Sequence, residues 1–265
     1  MPKVLFSRAD FDTHFSYIAG AILGDGHLRN YKYRHQDHYN REIGLCLSNT
    51  DKAFVEEFAT HIIALIGPSA ARIRAYNVPH YKTRYSYKRN SKFLYDLLNH
   101  PLPELAPDIR QPLHFLKGIF DSEGCVYYHL SSPNRLYKNL SITTTNDELK
   151  TLMTKILTTE GIHFTIYLQK TSKRMMRDGH LLIPNTPIAY CIQIRAKDDI
   201  IRFAEIMPNL IPRKQKKLEQ LLNLMSGRGR IDVTTGHRLW SADARSKLSV
   251  TKKEWWRAKH AKGSF

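Results

Sequence analysis

Two acidic residues occupy matching places in two similar stretches of the chain. Tyr17-Ile-Ala-Gly-Ala-Ile-Leu-Gly-Asp-Gly26 and Phe115-Leu-Lys-Gly-Ile-Phe-Asp-Ser-Glu-Gly124 align on their last glycines, which brings Asp25 and Glu123 into register. Each acid ends a run that reads as a helix apolar nearly all round, and Gly26 and Gly124 follow where a left-handed cap is favoured. A carboxylate there faces the negative end of the helix dipole, at a cost of a few tenths to ~1 kcal/mol. If the two helices run in parallel, the acids meet at one end. At about 5 Å and an effective dielectric of ~20 they then repel by roughly 3 kcal/mol. A divalent cation such as Mg²⁺ relieves that repulsion, and the unpaired carbonyls of the last turn, those of Gly24 and Ser122 among them, are further oxygen ligands.

The elements that must position this pair are also duplicated. Gly20 with Gly24, and Gly118 with Ser122, give each helix a strip of small residues four apart, which lets two backbones approach closely. After each helix come a polar loop and an alternating strand, carrying Ile43, Leu45 and Leu47 in the first half and Leu140 and Ile142 in the second. Thr50-Asp51 or Asn146-Asp147 then opens an amphipathic helix, with Phe54, Phe58, Ile62 and Leu65, or Leu149, Leu152, Met153 and Ile156, on one face. Thr145 with Glu148 has the spacing of a capping box. Two more strands follow, over 72–76 and 81–88 or 162–168 and 189–195, before a short helix over 91–98 or 198–207. The order αββαββα thus occurs twice. The expectation is an α+β fold of two pseudo-symmetric halves, residues 1–100 and 113–225, with the motif helices packed at their interface. Pro101, Pro103, Pro107 and Pro112 mark 101–112 as a linker, and 226–265 is a basic extension.

Composition narrows the partner. A net charge of +17 with a pI near 9.8 is most readily tolerated when a polyanion relieves the self-repulsion. The three cysteines, Cys46, Cys125 and Cys191, have no C-x-x-C spacing and read as core thiols rather than a zinc site or disulfide framework. The longest apolar run near the start is far short of the ~20 residues of a bilayer span, so a soluble intracellular protein of the cytoplasm or nucleoid, without membrane contact, is expected.

Residues 18–26 and 116–124 resemble the two copies of the motif that names the LAGLIDADG homing endonucleases, in their single-chain, two-motif form. The resemblance covers roughly residues 10 to 225, and the acids lie 98 positions apart. Leu23 departs from the pattern, standing where the motif has its first acid. The resemblance implies two antiparallel sheets forming a saddle over the DNA major groove, the motif helices beneath it, and metal-dependent cleavage of both strands to leave 3′ overhangs. It also implies Mg²⁺ as cofactor, replaceable by Mn²⁺ or by Ca²⁺ in a non-cleaving form, and a monomer acting on a long pseudo-palindromic or asymmetric duplex site. An intron-encoded gene would fit it.

By the same resemblance a basic residue stands near each scissile phosphate. Lys88 and Arg195 are the candidates, with Arg89 and Lys197 as neighbours. Ser48 or Asn49, and Thr144 or Thr145, take the place of a water-positioning residue, although the glutamine common there is absent. Independently, strand alternation sets Lys82, Arg84, Ser86 and Lys88 on one side against Tyr81, Thr83, Tyr85 and Tyr87, and Arg72, Arg74 and Tyr76 alternate likewise. Such ribbons fit the major groove, where arginine and lysine read guanine edges or bind phosphate. Arg29, Arg34, Arg135, Lys138, Lys170, Lys173 and Arg174 complete the candidates for DNA contact. An intron RNA maturase, or a non-catalytic DNA-binding regulator on the same fold, remains open as an alternative on the sequence alone.

Overall fold

The first helix begins where Ser7 can cap it: the Ser7 hydroxyl accepts from the backbone N–H of Asp10 at 3.1 Å, and α1 (Arg8–Gly24) follows. The computed structural model describes residues 7–35, 38–77, 83–132, 135–170, 174–175, 181–182 and 188–226. The first half continues as β1 (Gly26–His35), β2 (His38–Asn49), α2 (Lys52–Ile66), β3 (Arg74–Tyr76), β4 (Arg84–Asn90) and α3 (Lys92–Leu98). Then come α4 (Leu102–Leu105) and a 3-10 turn (Ala106–Asp108). The second half is α5 (Pro112–Glu123), β5 (Gly124–Ser132), β6 (Arg135–Thr144), α6 (Asp147–Thr159), β7 (Thr165–Lys170), a small hairpin of β8 (Arg174–Met175) and β9 (Leu181–Leu182), β10 (Ile188–Ile194) and α7 (Lys197–Ile206). A last helix, α8 (Pro212–Met225), follows. The residues to Leu222 form one compact unit, and a second begins at Asn223, of which the structure describes 223–226.

Each half holds a four-stranded antiparallel sheet, ordered β1-β2-β4-β3 and β5-β6-β10-β7. The expected α+β architecture with duplicated αββαββα halves is the observed one. At its centre α1 packs along α5. Eight consecutive α1 residues, Phe15 to Ile22, and seven of α5, Phe115 to Asp121, are buried. A helix buried on all sides needs a partner without bulk at the crossing, and the two glycines provide it. A Cβ on Gly20 would collide with the Phe115 carbonyl, and one on Gly118 with the Tyr17 carbonyl. Around them Phe15, Tyr17, Phe115 and Phe120 are at most 2% exposed, each worth ~1.5–3 kcal/mol of burial.

Several local expectations are corrected. Gly26 and Gly124 do not form left-handed caps: among the described glycines only Gly67 and Gly161 have positive φ, and Gly124 is extended at φ −73°, ψ 147°. Their lack of a side chain answers a steric demand instead. The chain enters the strand directly against the last helical turn, where a Cβ would strike Ile22 or Phe120. Asn146 caps α6, accepting from Leu149 N at 3.0 Å, rather than Thr145. Residues 101–112, read as a linker, contain short helical turns that begin at prolines and bury Leu102, Leu105 and Ile109. Cys46 and Cys191 are buried thiols as expected, whereas Cys125 is exposed because it follows Gly124 onto the open face of its sheet.

Candidate active site

Asp25 and Glu123 end α1 and α5, and the parallel packing of those helices brings them to one place. A Cβ built on Gly24 would lie 2.7 Å from Ser122 Cβ and 3.6 Å from Glu123 Cγ, so the two helix ends touch. Asn49, the last residue of β2, donates from Nδ2 to Asp25 Oδ2 at 2.7 Å and orients that carboxylate. Burial raises the pKa of both acids from the ordinary carboxylate range, and for Glu123 the Asp25 charge raises it further. Such a pair attracts cations. Among the described residues no third His, Cys, Asp or Glu joins them. That donor set suits Mg²⁺, which is held by one or two carboxylates and completes its shell with water and substrate phosphate.

The sequence reading did not find Lys214. This residue is 2% exposed in α8, and its ammonium donates to the carbonyls of Phe120 (2.5 Å), Asp121 (2.8 Å) and Ser122 (3.2 Å), the final turn of α5. It neutralises a helix end that already carries Glu123. Burial pulls its pKa down to about 8, against the opposing pull of Asp121 and Asp25. The Ser122 carbonyl proposed as a metal ligand is therefore already engaged by Lys214. Around this contact Arg213 pairs with Asp51 at 2.8 Å, and Ile211 N donates to Asp121 Oδ1 at 3.0 Å, which fixes α8 to both halves. A signal was present: Lys214 shares a helical stripe with Leu218 and Leu221, so a charge sits at a core position.

Behind the acids, toward the other end of the helix pair, lies a buried ionic cluster. Lys117 pairs with Asp121 (2.9 Å) and Glu57 (2.8 Å) and lies over the Tyr17 ring, whose hydroxyl reaches Asp121 at 3.3 Å. His61 stacks on Tyr17 and approaches Glu57, which is drawn down to about 2 chiefly by its hydrogen bond with His61 and by Lys117.

The sheets sort the remaining candidates by face. On the open face of the first sheet the ladder sets Lys88 opposite Cys46 and Ser86 opposite Ser48, with Arg74 beyond Ser86 and Tyr76 beyond Arg84. A groove of about 1140 Å³ runs there, lined also by Arg72, which precedes β3 instead of belonging to it. Arg84 lies close enough to lower the Asp25 pKa. Ser86 is buried and accepts from Ser48 (2.8 Å), and Arg29, only 4% exposed, is paired with Glu42. Both are on the expected face, but neither is presented freely to solvent. Arg89 faces the opposite way and donates to Gly67 O (3.2 Å) at the end of α2, which removes it as an alternative to Lys88.

In the second sheet Arg195 follows β10 on the open face, its guanidinium bonded to the hydroxyls of Tyr167 (2.9 Å) and Tyr137 (3.4 Å). Lys138, opposite Tyr128, and Lys170, opposite Ile188, belong by register to the helix-side face of Leu140 and Ile192 and not to the open face, contrary to their candidacy for DNA contact. Lys197 is the exposed first residue of α7. Ser48 points to the open face while Asn49 takes Asp25. In the second half Thr144 Oγ1 accepts from Asn146 N at 3.1 Å. Lys82 and Lys173, the side chains of Arg34, Arg135 and Arg174, and residues 227–265 lie outside the described residues.

Residues 110–208 match the family model described as LAGLIDADG-like domain. Two uncharacterized proteins of Methanocaldococcus jannaschii are similar in sequence. One is 28% identical over 171 residues, which is 63% of this chain and 60% of the relative, so this chain spans less than two thirds of that protein. The other is 25% identical over 225 residues, 84% of this chain and 76% of the relative. Among solved structures, I-DmoI in complex with DNA and Ca shares the fold with a TM-score of 0.52 at 21% identity, covering 79% of this chain and 98% of that one. The meganuclease I-SmaMI bound to uncleaveable DNA gives 0.52 at 11% identity, with 85% and 98% covered. The LAGLIDADG homing endonuclease I-LtrWI bound to target DNA gives 0.51 at 12%, with 92% and 98% covered.

Proposed function

We propose, from a chain that carries a LAGLIDADG-like domain and has the fold of the LAGLIDADG homing endonucleases, that it is a site-specific DNA endonuclease that cuts both strands and leaves 3′ overhangs. The observation that carries this reading is the meeting of Asp25 and Glu123 at two helix ends held together by Gly20 and Gly118. Each half supplies one acid, so a single copy of the chain is sufficient. Mg²⁺ or Mn²⁺ bound there would generate a nucleophilic water and screen the charge that develops on the phosphate. Asp25 and Glu123 would hold the cation, with the Gly24 carbonyl as a further oxygen. Asn49 fixes the orientation of Asp25. Lys214 holds the last turn of α5 so that Glu123 stays aimed at its partner acid. Lys88, with Arg84 near Asp25, faces the phosphate on the first side. Long duplex DNA is the substrate that fits a net charge of +17.

The test uses a duplex enriched by the protein from a randomised library, assayed for binding in Ca²⁺ and for cleavage in Mg²⁺. Asp25→Asn and Glu123→Gln should each abolish cleavage and leave binding within a few-fold. Mg²⁺-dependent cutting by either variant at a rate near that of the parent would remove the basis of the reading.

A further inference from the structure

Gly26 pairs with Leu47 and Gly124 with Ile142, each glycine directly following its motif acid, so the two sheets share a common register counted from the active site. In that register Lys88, opposite Cys46, corresponds to Gln193, opposite Ser141. Arg84, two residues before Ser86, corresponds to Ala189, two residues before Cys191. Arg74, opposite Ser86, corresponds to Tyr167, opposite Cys191. Arg195 is therefore not the counterpart of Lys88, as the sequence comparison had it; it stands two residues further along, at the position of Asn90. Each of these three cations of the first open face is replaced by a neutral residue in the second.

What the second face presents in their place is aromatic. Tyr127, Tyr137 and Tyr167 are 41–47% exposed. The rings of Tyr127 and Tyr137 are 5.9 Å apart, and Arg195 lies over Tyr167 at 4.9 Å with its donors on two tyrosine hydroxyls. Arg195 is thus tied into the tyrosines before any DNA arrives.

Resting on the nuclease reading, we propose that the two sheets divide the DNA contact. The first sheet grips phosphate through Arg74, Arg84 and Lys88, and the second touches base edges through its tyrosines, whose rings pack against thymine methyls and whose hydroxyls bond to bases. Charge neutralisation releases counterions and makes affinity salt-dependent, whereas ring contact and neutral hydrogen bonds do not. The two contributions separate in a plot of log K against log salt.

The experiment measures binding of the intact protein, in Ca²⁺, to a duplex it has enriched from a randomised library, at several salt concentrations. Arg84→Gln and Lys88→Gln should each make the slope shallower by about 0.9, the value of one phosphate contact. Gln193→Lys should steepen it by a similar amount. Tyr127→Ala, chosen because Tyr127 does not hold Arg195, should weaken binding about tenfold with no change of slope. The same duplex with uracil in place of thymine should bind the parent more weakly, and should weaken Tyr127→Ala by a smaller factor, since only the contacts of Tyr137 and Tyr167 remain to be lost. A tyrosine variant that changes the slope as much as the lysine variant does, unchanged slopes for Arg84→Gln and Lys88→Gln, or failure of any sequence to enrich would overturn the division. Absence of all DNA binding by the parent protein at low salt would instead sink the nuclease reading itself.

Discussion

Replacing Glu123 by Gln should make the metal-free protein more stable while destroying its proposed activity. The carboxylate stands at the C-terminal end of α5, next to a second carboxylate at the end of α1, and both have raised pKa values. A raised folded-state value means that the folded protein holds the proton more tightly than the unfolded chain does. Ionisation at neutral pH therefore costs stability, and the cost fades as pH falls from the raised values toward the ordinary carboxylate range, below which it is gone. At ~5–6 Å and an effective dielectric of ~20 the pair repels by about 3 kcal/mol. Lys214 offsets part of this, and both acids are partly solvated, so about 1–2 kcal/mol should be recovered on removing one charge. For a folded unit of this size that is a rise in Tm of roughly 2–8 °C.

Thermal unfolding in EDTA at neutral pH, followed by circular dichroism, measures it. Asp25→Asn should gain less, because the Asn49 amide then loses a charged acceptor. The double variant should add to Glu123→Gln only what burial of the lone Asp25 charge costs, less its bond from Asn49, since removing either charge already ends the repulsion. Added Mg²⁺ should stabilise the parent and not the variants. A Tm for Glu123→Gln equal to or below that of the parent in EDTA would refute the picture of two acids forced together against their own repulsion.

Three further outcomes follow from the same geometry. Lys88→Ala should slow cutting on one strand much more than on the other and accumulate a nicked duplex, while Arg195→Ala should have the smaller effect, because Arg195 is not in the register of Lys88; strand-specific end labels resolve this. Lys214→Met should destabilise the fold by about 2–5 kcal/mol in urea unfolding, because the buried carbonyls of Asp121 and Ser122 lose their donor. Glu57, held near 2 by His61 and Lys117, contributes stability above the unfolded carboxylate value and loses it as pH falls from about 4.5 toward 2, so Glu57→Gln should be less stable than the parent at pH 6 and the gap should close by pH 2 in urea titrations.

The repeated order of elements and the pair Asp25 and Glu123 were legible because hydrophobic periodicity and duplication reinforce each other: a helix buried all round, followed by an alternating strand, appears twice. What the sequence did not disclose depends on the third dimension. Arg29 reads as a surface cation, yet Glu42 across the hairpin takes it. Lys138 and Lys170 lie in the expected strands, but a one-residue difference in parity turns a side chain to the opposite face, and parity is fixed by pairing, not by composition. Lys214 was missed because its partners are backbone carbonyls 92 to 94 residues away, which have no signature in the sequence. The stripe it shares with Leu218 and Leu221 was the available clue.

Duplication also explains which parts of the halves stayed alike. At the helix pair a methyl group on Gly20 or Gly118 would meet backbone, which cannot yield, and an acid moved from either helix end would leave the other alone. These positions constrain one another across the pseudo-symmetry. The open faces of the sheets do not: Lys88 stands exposed opposite Cys46, whereas Gln193 stands half-buried opposite Ser141 and donates to Cys191 Sγ at 3.3 Å, so one ladder position carries an exposed cation in the first half and a neutral amide in the second. A fold built this way can keep one shared centre in strict register while each sheet acquires its own surface chemistry, here basic on one side and aromatic on the other. A single chain that reads an asymmetric site needs that freedom, because identical sheets would require identical half-sites.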